Sequence, residues 1–218
     1  YLTLVDSCND IVVVKNPAML TNDITVDLTN KKNSRDQSGV FSAGDIHFYW
    51  TYEGLSGTTY SRSSAKGPNT SGPEMPACET HWAYSHSVYW DANCLRRHVV
   101  RGAGVFFECL DSTRVLNAAT ATCETRVGYS TIVPAIATRV RLLFRYEDTV
   151  SSASGDRALI GYRLQCIGWI LGGVVTDADS TQTEIEMPNV NQEFFYRLTA
   201  AAQLTAHVTG YDVPNGDS

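Results

Sequence analysis

Apolar and polar residues alternate with a period of two along most of this chain. The segments DITVDLT (residues 23–29), GDIHFYWTYEG (residues 44–54) and TRVRLLFRYED (residues 138–148) carry apolar or aromatic side chains at every second position. Successive side chains of a β-strand point to opposite faces of a sheet, so this alternation predicts strands with one buried face. IVVVK, RALIGYRLQCIGWI, TEIEM, EFFYRLT and LTAHVTGYDV are also strand-like, and over the whole chain we count about ten to twelve strands.

Helical periodicity is nearly absent, with only two short candidates, STRVLNAATAT (residues 112–122) and LTAAAQL (residues 198–204). Many short strands joined by turn-rich loops are typical of an antiparallel β-sandwich, here of jelly-roll type. We find no internal repeat and no linker, so the pattern predicts a single domain over residues 1–218. The loop at residues 61–77 is the one candidate boundary, but the preceding segment alone would make a marginal sandwich.

Three long loops, at residues 30–39, 61–77 and 147–156, connect the predicted strands. Loops longer than about 12 residues are uncommon and often functional, and a rigid sandwich presents its loops for binding. The longest loop, SRSSAKGPNTSGPEMPA, includes an Asn69-Thr70-Ser71 glycosylation sequon, which indicates a surface position if the host attaches N-glycans. We therefore expect ligand contacts in and beside this loop, at Tyr60, Arg62, Lys66 and Asn69.

Aromatic residues are concentrated in HWAYSHSVYW (residues 81–90) and in residues 44–54. Such rings serve either as core or as a platform for a sugar, and a sandwich needs inward-facing side chains from both of its sheets. The core interpretation is therefore favoured for the faces that carry Trp82, Tyr84 and Trp90, and Phe48, Trp50 and Tyr52. The better candidates for ligand contact lie on the opposite faces or near loop tips: Tyr49, Tyr89, Tyr60 and Tyr52.

The charge balance argues against nucleic acid and membrane partners. Only 18% of the residues are charged, the net charge is −6, and the sequence pI is near 5.3. Phosphate binding needs clustered Lys and Arg, so an acidic chain is a poor general binder of nucleic acid. No apolar run is long enough for a transmembrane helix, and no signal peptide is present. The chain begins at Tyr1, which suggests a mature product or an excised domain.

Arginines form the sharpest charged feature. Arg139, Arg141 and Arg145 alternate along one predicted strand. Their guanidinium groups suit carboxylate or sulfate, so Arg139 and Arg141 are candidates for binding a sialylated or sulfated glycan. The favoured alternative is an exposed strand face whose charges discourage edge pairing or meet acids on neighbouring strands. A second basic segment, LRRHVVR, has the same two interpretations.

The six cysteines are widely spaced, with no CxxC pair, which makes a structural zinc site a poor explanation. An even number in a Ser/Thr-rich chain suggests disulfides and an oxidising compartment. Fifteen pairings are formally open to six cysteines. We favour the local pairs Cys78–Cys94 and Cys109–Cys123, which leaves Cys8–Cys166. Several free, buried thiols are the alternative.

No pattern names a reaction. There is no GxSxG elbow, and His81 and His86 point to opposite strand faces and cannot share a metal ion. The acidic segment TDADSTQTEIE lacks the spacing of a calcium loop and is better explained as a solvated turn. A glycosidase would need two carboxylates in one cleft, and no pattern fixes a separation between any of Glu53, Glu74, Glu108 and Asp111. We therefore expect no enzymatic activity, no cofactor and no metal.

The last third of the chain resembles a known class of domain. VPAIATRVRLLFRYEDTVSSASGDRALIGYR runs from a proline turn through a strand, a Ser/Gly hairpin and a return strand, and TEIEMPNVNQEFFYRLTAAAQLTAHVTGYDV adds three more strands. This pattern, over Val133 to Val213, resembles the C-terminal β-sandwich heads of viral and phage attachment fibres and capsid spikes. The resemblance implies a homo-oligomeric head on the virion surface that binds a host receptor, glycan or protein, through loops. A secreted lectin or adhesion domain of a cellular organism is the alternative, and a β-sandwich glycoside hydrolase a weaker one.

Overall fold

The computed structural model describes residues 2–6, 11–14, 22, 33–70, 72–148, 157–163, 169–171, 180–199 and 202–214. Within these ranges the chain is all-β, with sixteen strands and one 3₁₀ helix (Leu110–Thr113). No helix there has the length and apolar character needed to cross a bilayer. The strands are β1 (Leu2–Val5), β2 (Ile11–Val14), β3 (Ser34–Arg35), β4 (Gly44–Glu53), β5 (Thr58–Ser64), β6 (Glu79–Trp90), β7 (His98–Arg101), β8 (Gly104–Phe107), β9 (Arg114–Ala119), β10 (Thr125–Gly128), β11 (Arg139–Asp148), β12 (Ala158–Gly161), β13 (Trp169–Leu171), β14 (Ser180–Pro188), β15 (Glu193–Leu198) and β16 (Ala202–Asp212).

The chain divides into two compact units, unit 1 from residues 1–95 and unit 2 from residues 96–214. The boundary lies in DANCLRR, between β6 and β7. This short segment contains no glycine, proline or serine, which is why the pattern alone predicts one domain over residues 1–218. The loop at residues 61–77, the only boundary that the sequence suggested, lies inside unit 1.

Unit 1 is built on one six-stranded sheet in the order β2-β1-β6-β4-β5-β3. Its pairs are antiparallel except for the short β3–β5 contact, and β4 and β6 form the long central pair. A bulge interrupts β6: Phe48 pairs with His86 and Tyr49 with Tyr84, so Ser85 is an extra residue. The prediction that Trp82, Tyr84 and Trp90 share a face is therefore wrong, because the bulge reverses the alternation partway along the strand.

One face of this sheet is buried although it is polar, and it bears His47, Thr51, Arg62, Ser64, Glu79 and Ser87. Arg62 and Glu79 form an ion pair in which each side chain is 1% exposed. The segment between β5 and β6, here called the covering loop (residues 65–70 and 72–78), packs on this face. The Tyr49 hydroxyl donates to the Lys66 carbonyl at 2.6 Å. The loop in which the sequence predicts ligand contacts is thus partly a structural element of unit 1.

Unit 2 contains a four-stranded sheet, β10-β15-β12-β13, and a sheet of β14-β11-β16-β8-β7 with β9 paired to β16. The predicted alternation of β11 is confirmed: Val140, Leu142, Phe144 and Tyr146 are all buried. The two sheets meet in their apolar faces, where the Phe144 ring of β11 packs edge-on against Phe194 of β15 at 5.3 Å. Antiparallel sheets packed in this way are consistent with the predicted β-sandwich, while the jelly-roll connectivity stays a prediction.

Neither helical candidate forms an α-helix in the described residues, although the first begins in the last two residues of the 3₁₀ helix. STRVLNAATAT enters the strand β9, and LTAAAQL spans the end of β15 and the start of β16. Both are shorter than the length at which helices hold without strong tertiary support, and here β9 gains ladder hydrogen bonds from β16 instead.

The predicted local disulfides are not formed. Cys78, Cys109 and Cys123 are free, exposed thiols, and Cys94 is exposed with its Sγ donating to Asp91 Oδ2 at 3.3 Å. Cys78 and Cys94 flank the two ends of β6, which is about 40 Å long, whereas disulfide-bonded Cα atoms lie roughly 4.4–6.8 Å apart. The extended strand β9 likewise separates the other predicted pair. Cys8 and Cys166 lie outside the described residues.

Candidate functional site

An open recess of about 460 Å³ lies in unit 1 beside the start of β4, and we call it the β4 recess. Its volume lies within the range of about 300–1,000 Å³ that is usual for ligand pockets. Apolar, polar and backbone surfaces all contribute to it. The residues that line it are Gln37, Val40, Phe41, Ser42, Ala43, Gly44, Asp45, Ile46, His47 and Ala65.

The irregular segment before β4 shapes the recess. Phe41 is buried and anchors this segment, and its carbonyl accepts a hydrogen bond from Trp90 Nε1 at 3.3 Å. Gly44 has a φ of +152°, a conformation that residues with a side chain rarely adopt, and it turns the chain into the strand. A Cβ added at Gly44 would meet no atom within 4 Å, so this wall of the recess is open.

His47 lies between the recess and the buried polar face. Its Nδ1 shares a hydrogen bond with Ser87 Oγ at 2.5 Å, and Ser87 Oγ is also bonded to the Tyr84 hydroxyl at 2.6 Å. Burial lowers the pKa of His47 to about 4, so the imidazole is neutral at neutral pH. Burial also raises the pKa of Tyr84 to about 12, although the Ser87 hydrogen bond opposes that shift. The network is therefore uncharged under ordinary conditions.

This arrangement lacks the geometry of a hydrolase. Ser87 is fully buried, so its hydroxyl is not presented to a substrate. Within the described ranges, no group of three or more His, Cys, Asp or Glu side chains is arranged to hold a metal ion. The recess offers hydrogen-bonding groups, one carboxylate at Asp45 and an apolar rim.

Most of the aromatic residues belong to the core or its margin. Tyr49, predicted as a ligand contact, is 1% exposed, and its ring packs edge-on against Trp82 at 5.4 Å and Tyr84 at 5.7 Å. Tyr60, another predicted contact, is buried within β5 with its hydroxyl donating to Glu53 Oε2 at 2.9 Å. Among the described Phe, Tyr and Trp residues of unit 1, the half-exposed rings are Trp50, Tyr52, Trp82, Tyr89 and Trp90.

The remaining predicted contacts of unit 1 separate into buried and exposed residues. Arg62 lies within β5, where its guanidinium binds Glu79 and donates to Ser34 Oγ at 2.9 Å, so it is not presented at the surface. Lys66 is exposed and pairs with Glu74 at 2.6 Å. Asn69 is exposed at a turn that the Thr70 amide closes by donating to the Gly67 carbonyl at 3.1 Å.

Two arginines of the β11 stripe meet carboxylates on the neighbouring strands, as the favoured interpretation predicts, while Arg145 pairs within β11 itself. Arg141 donates to both oxygens of Asp212 at 2.8 and 2.9 Å and also pairs with Glu186 at 3.2 Å. Arg139 binds the other oxygen of Glu186 at 2.7 Å. An anionic ligand would have to compete with these acids, so the stripe is a poor receptor site.

The acidic residues considered for catalysis are divided between the two units. Glu53 and Glu74 lie in unit 1, where they accept hydrogen bonds from Tyr60 and Lys66, whereas Glu108 and Asp111 lie in unit 2. Glu184 and Glu186 of the acidic segment lie on β14, while residues 176–179 fall outside the described residues.

The β4 recess itself was not predictable from a motif. Its one sequence signal is QSGVFSAG (residues 37–44), a run of small and polar residues directly before an aromatic strand. In comparisons with known proteins, no protein family matches the chain, and a search of curated proteins found no match.

Proposed function

We propose that this chain is a non-enzymatic recognition domain, the head of a virion spike or fibre, that attaches to a receptor on the host cell through the β4 recess. The observation that carries the proposal is the open recess, because most of the other predicted contacts in unit 1 are buried or paired. The resemblance of residues 133–213 to spike and fibre heads supports the viral setting, a jelly-roll connectivity and a homo-oligomeric assembly at a virion surface or outside the cell.

The chemistry of the recess suits a sugar residue of a receptor glycan. Gln37 and Asp45 supply polar groups for hydrogen bonds to hydroxyl groups, and small side chains let the ligand approach the backbone. Val40 is 81% exposed at the rim, where it offers an apolar contact for the carbon face of a sugar ring. A projecting side chain of a protein receptor would use the same groups.

A glycan-array screen of the purified chain, run beside light scattering for its molar mass, tests the proposal. Ala43→Trp fills the recess from an exposed position and should abolish binding to each glycan that the unaltered chain recognises. Leu55→Ser is the matched control, since Leu55 is 96% exposed at the hairpin tip on the other end of β4, about 30 Å away.

The outcomes separate clearly. Binding lost in Ala43→Trp and kept in Leu55→Ser, by an oligomer, supports the proposal. Binding that survives Ala43→Trp rules out the recess as the contact. Robust turnover of any substrate class overturns the non-enzymatic assignment.

A further inference from the structure

We infer that the covering loop is an acid-released wall of the β4 recess, with His47 as the group that takes up the proton. The recess as a receptor contact rests on the proposed function, whereas the release of the loop rests on the structure of unit 1 alone. The inference connects two surfaces of one side chain: His47 lines the recess on one side and lies under the loop on the other.

The loop is in direct contact with the imidazole ring. A Cβ built on Gly67 would lie 3.4 Å from His47 Nε2 and 3.5 Å from its Cε1, so the glycine backbone packs closely against the ring. Ala65, at the start of the same loop, belongs to the wall of the recess. Gly67 therefore covers the Nε2 side of the ring. Lifting this part of the loop would hydrate the ring and displace Ala65 from the wall of the recess.

Polar contacts more than apolar burial hold the loop in place. The Lys66 carbonyl accepts from Tyr49, the Lys66 amide donates to Ser64 Oγ at 2.9 Å, and the Glu74 amide donates to Asp36 Oδ2 at 3.0 Å. Of the described loop residues, only Gly72 and Pro73 are buried. Segments with so little apolar burial open at a fraction of the global unfolding free energy.

No carboxylate forms an ion pair with His47 within the described part of unit 1. The ionisable groups that face this region are Asp45 and Tyr49 on β4, Arg62 on β5, Tyr84 on β6, Lys66 and Glu74 on the loop, and Asp36 after β3. The direct hydrogen-bond partner of Nδ1 is the neutral Ser87, which is already bonded to Tyr84. A second proton would thus leave a buried imidazolium with no counter-charge bound to it.

Burial of such a charge is costly, and hydration through an open loop relieves the cost. The lowered pKa of His47 fixes the sign: the closed loop is favoured above the ordinary value of 6.5, and this preference is lost as the pH falls toward 4. If the open loop restores the ordinary pKa, a change from pH 7.5 to 5.0 raises the open fraction about 25-fold.

Hydrogen exchange read by mass spectrometry tests the inference on the full chain at pH 7.5 and 5.0, with exchange times corrected for the intrinsic rate. Protection of the covering loop should fall about 25-fold in the unaltered chain and stay constant in His47→Gln. His81→Gln is the matched control, since His81 is half-exposed and bonded to its neighbour Thr80, and it should behave like the unaltered chain. Equal protection at both pH values, or an undiminished loss in His47→Gln, overturns the inference.

Tyr49→Phe keeps the test decisive if His47→Gln does not fold. It removes the hydrogen bond to Lys66 without touching His47, so the loop should open more at both pH values while the ratio between them is unchanged. A ratio near one in this variant contradicts the inference. In the folded chain, an NMR titration midpoint of His47 at or above 6.5 contradicts it as well.

The two proposals fail in different ways. An acid-opened loop in a chain that binds no glycan or receptor overturns the proposed function and leaves the loop mechanism standing. A glycan that binds equally at pH 7.5 and 5.0, while the loop opens, shows that the wall of the recess does not contribute to binding.

Discussion

Replacing Glu79 by Gln should destabilise unit 1 by several kcal/mol. Arg62 Nε lies 3.1 Å from Glu79 Oε2, Arg62 Nη2 binds Glu79 Oε1, and both side chains are 1% exposed. The substitution keeps the shape of the side chain but removes the buried negative charge that Arg62 Nε and Nη2 bind. Breaking a buried pair from one side costs about 3–5 kcal/mol, and the amide oxygen that remains places the expected loss near 3 kcal/mol.

Urea unfolding followed by tryptophan fluorescence measures this loss. Three of the four tryptophans, Trp50, Trp82 and Trp90, lie in unit 1, so the signal reports mainly on the affected part. Glu74→Gln is the matched control, because Glu74 forms the same kind of pair with Lys66 at the surface, where it is worth less than about 1 kcal/mol. If the two variants lose the same stability, or Glu79→Gln loses less than about 1 kcal/mol, the burial argument is wrong.

Three further predictions concern other parts of the chain. Because the pKa of His47 is lowered to about 4, unit 1 should be most stable above pH 6.5 and lose up to about 3 kcal/mol of unfolding free energy as the pH falls toward 4. Urea midpoints across this pH range measure the loss, and a midpoint that does not change contradicts the prediction. Gly72→Ala should lower the unfolding free energy by about 1–3 kcal/mol in the same assay, since φ is +71° and a Cβ would lie 2.6 Å from the Trp82 ring. Gly128→Ala is the control: a Cβ there would meet no atom within 4 Å, so the loss should be less than about 1 kcal/mol. The exposed thiols, Cys78 among them, should react with a thiol reagent in the native chain without prior reduction, and a native chain with no reactive thiol would restore the disulfide prediction.

The sequence pattern succeeds where the structure depends on local alternation. In β11 every second residue from Val140 to Tyr146 is apolar and buried, because the strand has neighbours on both sides and the register shifts only once. The pattern fails in β6, where strict alternation would place Tyr84 and Trp90 on one face. The extra residue Ser85 places them on opposite faces of the sheet. A bulge is set by the pairing of two strands, and no composition signal marks it.

Long-range partners explain the other failures. Arg62 resembles a surface loop residue in sequence, and only the fold shows that β5 brings it to Glu79, which follows 17 residues later at the start of β6. The disulfide predictions rest on sequence proximity, which the length of an intervening strand makes irrelevant. The β4 recess depends on the path of an irregular segment, and hydrophobic periodicity carries no information about such a path.

Lys66, on the covering loop, has a consequence for chemical labelling. The lysines of the sequence stand at positions 15, 31, 32 and 66, and every strongly basic side chain after Lys66 is an arginine. Lysine-directed acylation therefore modifies unit 1 and leaves unit 2 untouched, whereas dicarbonyl reagents that select guanidinium groups act mainly on unit 2. The rate of acylation at Lys66 gives a direct optical or mass-spectrometric readout of the loop that covers the polar face.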